Sequence, residues 1–171
     1  MEPFQHLLES LHRERVQLII VGGLAAVLHG ASFITDDLDI CYQRKKGNYA
    51  ALVRALAPFK PELRGPHNTG IPFPFDEKMI ENGLNFTLKT TAGDIDILGE
   101  LQFAGRYEDL LPASVKTELY GMEFKIISLD HLIQIKRKLR RKKDLVHLDI
   151  LEALQKMKGR AIYEKENKIH Q

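Results

Sequence analysis

Asp37 and Asp39 flank Leu38, and on a strand the side chains at i and i+2 leave from the same face. Two carboxylates held side by side repel, and each raises the pKa of the other unless a cation sits between them. Hard divalent cations take oxygen ligands, and Mg²⁺ in particular is held by one or two carboxylates together with substrate phosphates. The pattern recurs at Asp94-Ile95-Asp96-Ile97. Asp96, set between two isoleucines, reads as embedded in a strand. There it supplies a third carboxylate that can hold a metal and help to deprotonate an attacking hydroxyl. Asp94, next to Gly93, reads as a turn acid. Upstream, Gly22-Gly23 ends the apolar run Leu18-Ile19-Ile20-Val21 and precedes a helix-like stretch, where backbone N–H groups can approach a phosphate. Metal-ligating acids beside a phosphate cradle point to chemistry on a nucleotide.

Positive charge gathers in one place, the run from Lys136 to Lys143, broken only by Leu139. Most of this run reads as a solvated helix face. Lys136 and Arg141 are the candidates for lining a nucleotide cleft, where they would offset the charge of transferring phosphates. The same patch could steer tRNA or another RNA by phosphate attraction. Asp144 reads as a helix cap or an ion-pair partner. His29 and His131 fall on helices and read as structural, and His67 lies in a proline-rich loop. Cys41 reads as a small core residue. Phe73 and Phe75 read as anchors for that loop in preference to a base-stacking pair.

Several elements must position these residues. Phe4, Leu7, Leu8 and Leu11 fall at helical spacing, so residues 3–13 are expected as an amphipathic helix. Val16–Val21 is a buried strand, Leu24–His29 a short helix closed by Gly30, and Leu38–Tyr42 a second strand opening at the acids. A basic turn at Gln43–Gly47 leads to a helix over Tyr49–Ala57, with Ala50, Val53, Leu56 and Ala57 inward. Residues 58–76 hold five of the prolines and read as an irregular surface loop near the functional face. Asn85–Thr90 and Asp94–Leu98 form a hairpin across Thr91-Ala92-Gly93, and Val115–Leu119 with Met122–Ile127 forms another across Tyr120-Gly121. Ser128 caps a helix to about Arg141, and Asp144 caps a last one to about Met157. The expected division is an α/β core at 1–127, C-terminal helices packed on it at 128–157, and a polar tail at 158–171. The fold class is α/β (α+β), a mixed sheet flanked by helices with a C-terminal helix pair. No G-x-G-x-x-G or P-loop lysine motif is present, which excludes those two phosphate-binding devices.

Composition narrows the class. A chain of 171 residues, 44% hydrophobic and 28% charged, is sized for one soluble domain. A net charge of +2 is too small for a polycation, so affinity for phosphates must come from a local patch. One cysteine forms no intramolecular disulfide and no cysteine-based zinc site, in keeping with a reducing cytoplasm. No apolar run is as long as a membrane span, and the N-terminus lacks the layout of a signal peptide.

The stretch from Val21-Gly22-Gly23 to Thr35-Asp36-Asp37-Leu38-Asp39 resembles the signature of the DNA polymerase β-like nucleotidyltransferase superfamily. The spacer, Leu24 to Asp36, is at the long end of that pattern, and Ile95-Asp96-Ile97 fits the place of the third acid. The chain is similar above all to the small bacterial group of minimal nucleotidyltransferases and abortive-infection (AbiEii-type) toxins. Those share Gly22-Gly23-Leu24-Ala25, Gly30, Thr35-x-Asp37-Leu38-Asp39, and a Lys136 followed by Arg141-Lys142-Lys143-Asp144. The likeness spans residues 16–155. It departs at Phe33, where many relatives carry an arginine.

The resemblance implies a nucleotidyltransferase fold and an enzyme that moves NMP from an NTP to a hydroxyl of a protein, an RNA or a small molecule. Asp37, Asp39 and Asp96 are implied as catalytic and metal-binding residues for two Mg²⁺, or Mn²⁺. Gly22, Gly23, Thr35, Lys136 and Arg141 are implied for the nucleotide. A toxin–antitoxin role, with an antitoxin as partner, is a further expectation, and the alternative is a nucleotide-, RNA- or protein-binding module without strong catalysis. The chain has only its proline-rich loop and terminal helices to build an acceptor pocket, which favours a macromolecular acceptor. A metal-dependent nuclease could use the same acids.

Overall fold

A computed structural model describes residues 4–32, 34–65 and 73–169. The first helix, α1 (Gln5–Arg13), presents Leu7, Leu8 and Leu11 to the core at helical spacing. Its chain turns at Arg15, in the left-handed region, into β1 (Leu18–Ile20), whose three residues are all buried. A seven-residue helix, α2 (Gly22–Leu28), starts directly at the glycines, two residues earlier than the sequence implies. β2 (Asp37–Tyr42) then runs antiparallel to β1.

α3 (Lys46–Leu56) starts earlier than expected and turns a different face inward. Tyr49, Ala51, Leu52, Ala55 and Leu56 are buried, whereas Ala50 and Val53 are half-buried and Ala57 is exposed. The apolar stripe is masked in the sequence by Asn48, which is buried as well. Its side chain accepts from the Gln17 N–H and donates to the Gln17 and Gln43 carbonyls. One amide therefore ties the start of β1 to the end of β2, satisfying groups that would otherwise be orphaned. Small residues let α3 come close to α1, where the Ser10 hydroxyl donates to the Ala55 carbonyl at 2.8 Å.

The segment after α3 is not an irregular loop throughout. A 3-10 turn, Ala57–Phe59, leads into a two-residue edge strand, β3 (Glu62–Leu63). Residues 66–72, including His67, lie outside those described. A short helix, α4 (Glu77–Asn82), which the sequence reading did not contain, is capped by Asp76, whose carboxylate accepts from the Met79 N–H. The Arg44 guanidinium donates to the Glu81 and Gly83 carbonyls at its other end.

β4 (Asn85–Thr90) and β5 (Gly93–Leu98) form the expected hairpin. A second unforeseen short helix, α5 (Tyr107–Leu110), precedes the hairpin of β6 (Val115–Leu119) and β7 (Met122–Ile126). Tyr120 and Gly121 turn that hairpin, both at positive φ, as a tight two-residue turn requires. The Ser128 hydroxyl caps α6 (Leu129–Leu139) by accepting from the His131 N–H. The last helix, α7 (Lys142–Ile169), continues well past Met157.

The strands form one mixed seven-stranded sheet in the order β3-β4-β5-β2-β1-β7-β6. β2 lies parallel to β5, and β1 parallel to β7. Helices flank the sheet, and α6 and α7 form a C-terminal pair in contact, with Leu132 and Ile133 of α6 and Leu151 of α7 buried. Cys41 is buried, as expected of a core residue. His29 is structural too: its Nε2 bonds the Ile127 carbonyl at 2.8 Å, and Lys158 approaches its Nδ1 at 3.3 Å. These contacts join the end of α2, the end of β7 and α7. Phe73 and Phe75 lie 6.1 Å apart, half-buried and packed on the core.

Candidate active site

Parallel pairing in register sets Asp37 opposite Asp94 and Asp39 opposite Asp96. Neighbours in register share a face. The intervening Leu38, Ile40, Ile95 and Ile97 are 0% exposed on the other face. The apolar residues thus fix the strands, and the strands have no choice but to present four carboxylates together. Asp37, Asp39 and Asp96 each offer an oxygen, and these oxygens lie within 4.8 Å of one another. Asp94 belongs to β5 and not to the turn.

The electrostatics express the crowding. Burial, then the charges of Asp37 and Asp96, push the Asp39 carboxyl up to about 7, against the Gly23 N–H and the charge of Lys136. Asp96 is also raised, by burial first, while Arg64 pulls it down. The group favours a cation, and its all-oxygen donor set is the kind that hard divalent ions prefer.

The two glycines have a reason visible in the geometry. Gly22 has φ +60, and a Cβ there would run into the Asp39 carboxylate. A Cβ at Gly23 would run into the Thr35 hydroxyl, which itself donates to the Asp37 carbonyl at 3.0 Å. The backbone at the start of α2 is pressed against Asp39 and Thr35, and no side chain fits between.

Asp37, Asp39, Asp96, Gly22, Gly23, Thr35, Lys136 and Arg141 all line one cleft of about 680 Å³. Leu98, Leu101, Leu132, Ile135 and Leu139 give it an apolar wall. Lys136 and Arg141 converge on Asp144, which is 0% exposed: Lys136 Nζ lies 2.8 Å from Oδ1 and Arg141 Nε 2.6 Å from Oδ2. Burial pushes the Asp144 carboxyl up, but the hydrogen bonds from Arg141 and Lys136 outweigh it and bring it down to about 2. Asp144 is therefore an ion-pair partner inside the first turn of α7, not its cap. Phe33 lies outside the described residues.

The sequence reading missed Arg64. It follows β3, and its N–H donates to the Thr87 carbonyl at 2.9 Å, one strand from Asp96. Its Nη1 lies 2.9 Å from Asp94 Oδ2, and its Nη2 lies 2.8 Å from Asp96 Oδ1 and 3.3 Å from Asp37 Oδ2. The available signal was slight: it is the only arginine between Arg54 and Arg106, in a segment where prolines hide a two-residue strand.

No family model matches the chain, and no curated protein matches it. Solved structures do. A protein of Thermotoga maritima assigned as a nucleotidyltransferase superposes with a TM-score of 0.51 at 17% identity, over 92% of this chain and 91% of that one. The lincosamide antibiotic adenylyltransferase LnuA, with lincomycin bound, gives 0.56 at 14% identity over 90% and 97%. ANT(2″)-Ia in complex with adenylyl-2″-tobramycin gives 0.53 at 12% over 94% and 96%. The chain has the nucleotidyltransferase fold. Within this fold the acid cluster lies on the adjacent strands β2 and β5, with the Gly22-Gly23 segment packed against it.

Proposed function

We propose that this chain is a divalent-metal-dependent nucleotidyltransferase that moves NMP from an NTP to an acceptor hydroxyl. The observation that carries the reading is the register of β2 and β5, which gathers Asp37, Asp39 and Asp96 at the floor of the cleft. Asp37 and Asp39 would hold two Mg²⁺ or Mn²⁺, with Asp96 sharing one; bound there, the ions supply neutralisation of the triphosphate and acidify the acceptor hydroxyl. Asp96 would receive the acceptor proton. The acceptor oxygen bonds to the α-phosphorus, the bond to the β-phosphate oxygen breaks, and pyrophosphate leaves. Gly22 and Gly23 keep the floor free of side-chain bulk where the triphosphate would lie, beside Thr35. Lys136 and Arg141, which also line the cleft, would add positive charge. The apolar wall suits a nucleoside or the body of an acceptor, and the cleft is of ordinary ligand-site size.

The size of the chain gives no ground to prefer a macromolecular acceptor. LnuA and ANT(2″)-Ia act on small antibiotics, and this chain spans nearly the whole of each. Small-molecule, RNA and protein acceptors all remain within the proposal. A toxin role with an antitoxin partner is one form of the macromolecular case.

The test is incubation with each NTP labelled at the α-phosphate, Mg²⁺ and a cell extract. Label should pass to protein, RNA or a small molecule, and Asp37→Asn, Asp39→Asn and Asp96→Asn should each abolish it while remaining folded. Transfer that survives all three substitutions sinks the assignment. Pyrophosphate release on NTP addition would count against a nuclease that uses the same acids. One observation favours the second reading, a binding module without transfer: Arg64 already compensates the acids. Weak Mg²⁺ and NTP binding by calorimetry, with no transfer to any fraction, would support it.

A further inference from the structure

We propose that Arg64 is the resident counter-ion of the carboxylate cluster, so that loading a divalent metal and displacing the Arg64 side chain are one exchange. This rests on the metal site of the proposed function. The Arg64 Nη2 contacts Asp37 and Asp96, two of the three acids that could share an ion. Mg²⁺ needs such oxygens at about 2.0–2.1 Å, and a guanidinium hydrogen-bonded to the same two carboxylates occupies the approach. On this proposal the two cations compete for the same carboxylates.

The geometry also shows what moves. The Arg64 backbone is fixed by its N–H bond to the Thr87 carbonyl and by the pairing of β3 with β4. The side chain, 31% exposed, is the part that an exchange would move. Its other nitrogen, Nη1, is seated 2.9 Å away on Asp94, which is not among the clustered metal ligands. Asp94 is thus a second seat: when Nη2 lets go of Asp37 and Asp96, the guanidinium stays tethered beside the site. The fourth carboxylate on these strands, which a metal site does not need, acquires a function. In the metal-free protein the same contacts keep like charges together that would otherwise push β2 and β5 apart.

The exchange predicts an antagonism that thermodynamic linkage makes reciprocal. Mn²⁺ binding to the full chain can be followed by the loss of its free-ion paramagnetic signal, for wild type, Arg64→Ala, Arg64→Gln and Arg64→Lys. The two neutral variants should bind Mn²⁺ more tightly, on the order of tenfold, and the lysine variant should stay near wild type. In chelator the neutral variants should melt below wild type, and Mn²⁺ should restore them. On wild type alone, modification of Arg64 by phenylglyoxal, read by mass spectrometry, should speed up when Mg²⁺ is added. Neutral variants that fold and bind Mn²⁺ no more tightly than wild type would overturn the exchange, as would an unchanged modification rate in a protein shown to bind the metal. If neither wild type nor any variant binds Mn²⁺, the metal site itself is wrong and the exchange falls with it.

Discussion

At the scale of single residues, the site is defined by what cannot be added as much as by what is present. Gly22 adopts φ +60, and a Cβ there would collide with the Asp39 carboxylate. Gly22→Ala must adopt a left-handed backbone, at about 1–2 kcal/mol, and must also displace Asp39. It should lower the melting temperature and remove Mn²⁺ binding even though every acid is retained. Unchanged Mn²⁺ affinity in a folded Gly22→Ala protein would show that Asp39 is not a ligand. Gly23→Ala should act through Thr35 instead, and Thr35→Ala combined with it should recover part of the stability, because the second substitution removes the hydroxyl, the nearest colliding atom, and leaves only the Cβ of residue 35 to give way.

At the scale of elements, two polar groups hold the frame around the site. Asn48 closes three hydrogen bonds between α3 and the ends of β1 and β2. Asn48→Ala would leave buried backbone groups unpaired, at about 2–3 kcal/mol, measurable by urea unfolding. Asp144 joins α6 to α7 through Lys136 and Arg141. Its carboxyl is depressed from 3.8 to about 2 in the folded protein, so its contribution is present above the unfolded value and lost as pH falls from 3.8 towards 2. Asp144→Asn should lower stability at neutral pH and flatten that part of the acid-unfolding curve.

These elements also show what the sequence could tell. The hairpins, β1, β2 and the three acids were legible because apolar alternation and the acid-apolar-acid spacing are local signals. The inward face of α3 was not, because a buried asparagine interrupts the apolar stripe and its partners are far away in sequence. β3 and Arg64 were not, because a two-residue strand has no period and its meaning comes from pairing with β4. Asp94 was misread for the same reason: the choice between turn and strand was made by its partner Asp37 across the sheet.

At the scale of the whole molecule, the site draws on β2, β5, the start of α2 and the C-terminal helix pair, while the β6–β7 hairpin lines none of the cleft. The last helix earns its place through Leu151, Leu154 and Lys158, which meet the core, Gly30 and His29. Ending the chain after Arg141 should prevent cooperative folding, because it uncovers Leu132 and Ile133 and leaves Lys136 without Asp144. No helix among the described residues is long and apolar enough to cross a membrane.

The close contact of Gly22 with Asp39 and of Gly23 with Thr35 has a bearing on descent. In a duplicated gene released from selection, an acid can drift to its amide and leave the fold undisturbed, so the acids alone make an unreliable marker. A side chain gained at either glycine would deform the cleft at once. Among divergent copies of this chain, the state of positions 22 and 23 is therefore the sharper record of whether the chemistry was kept.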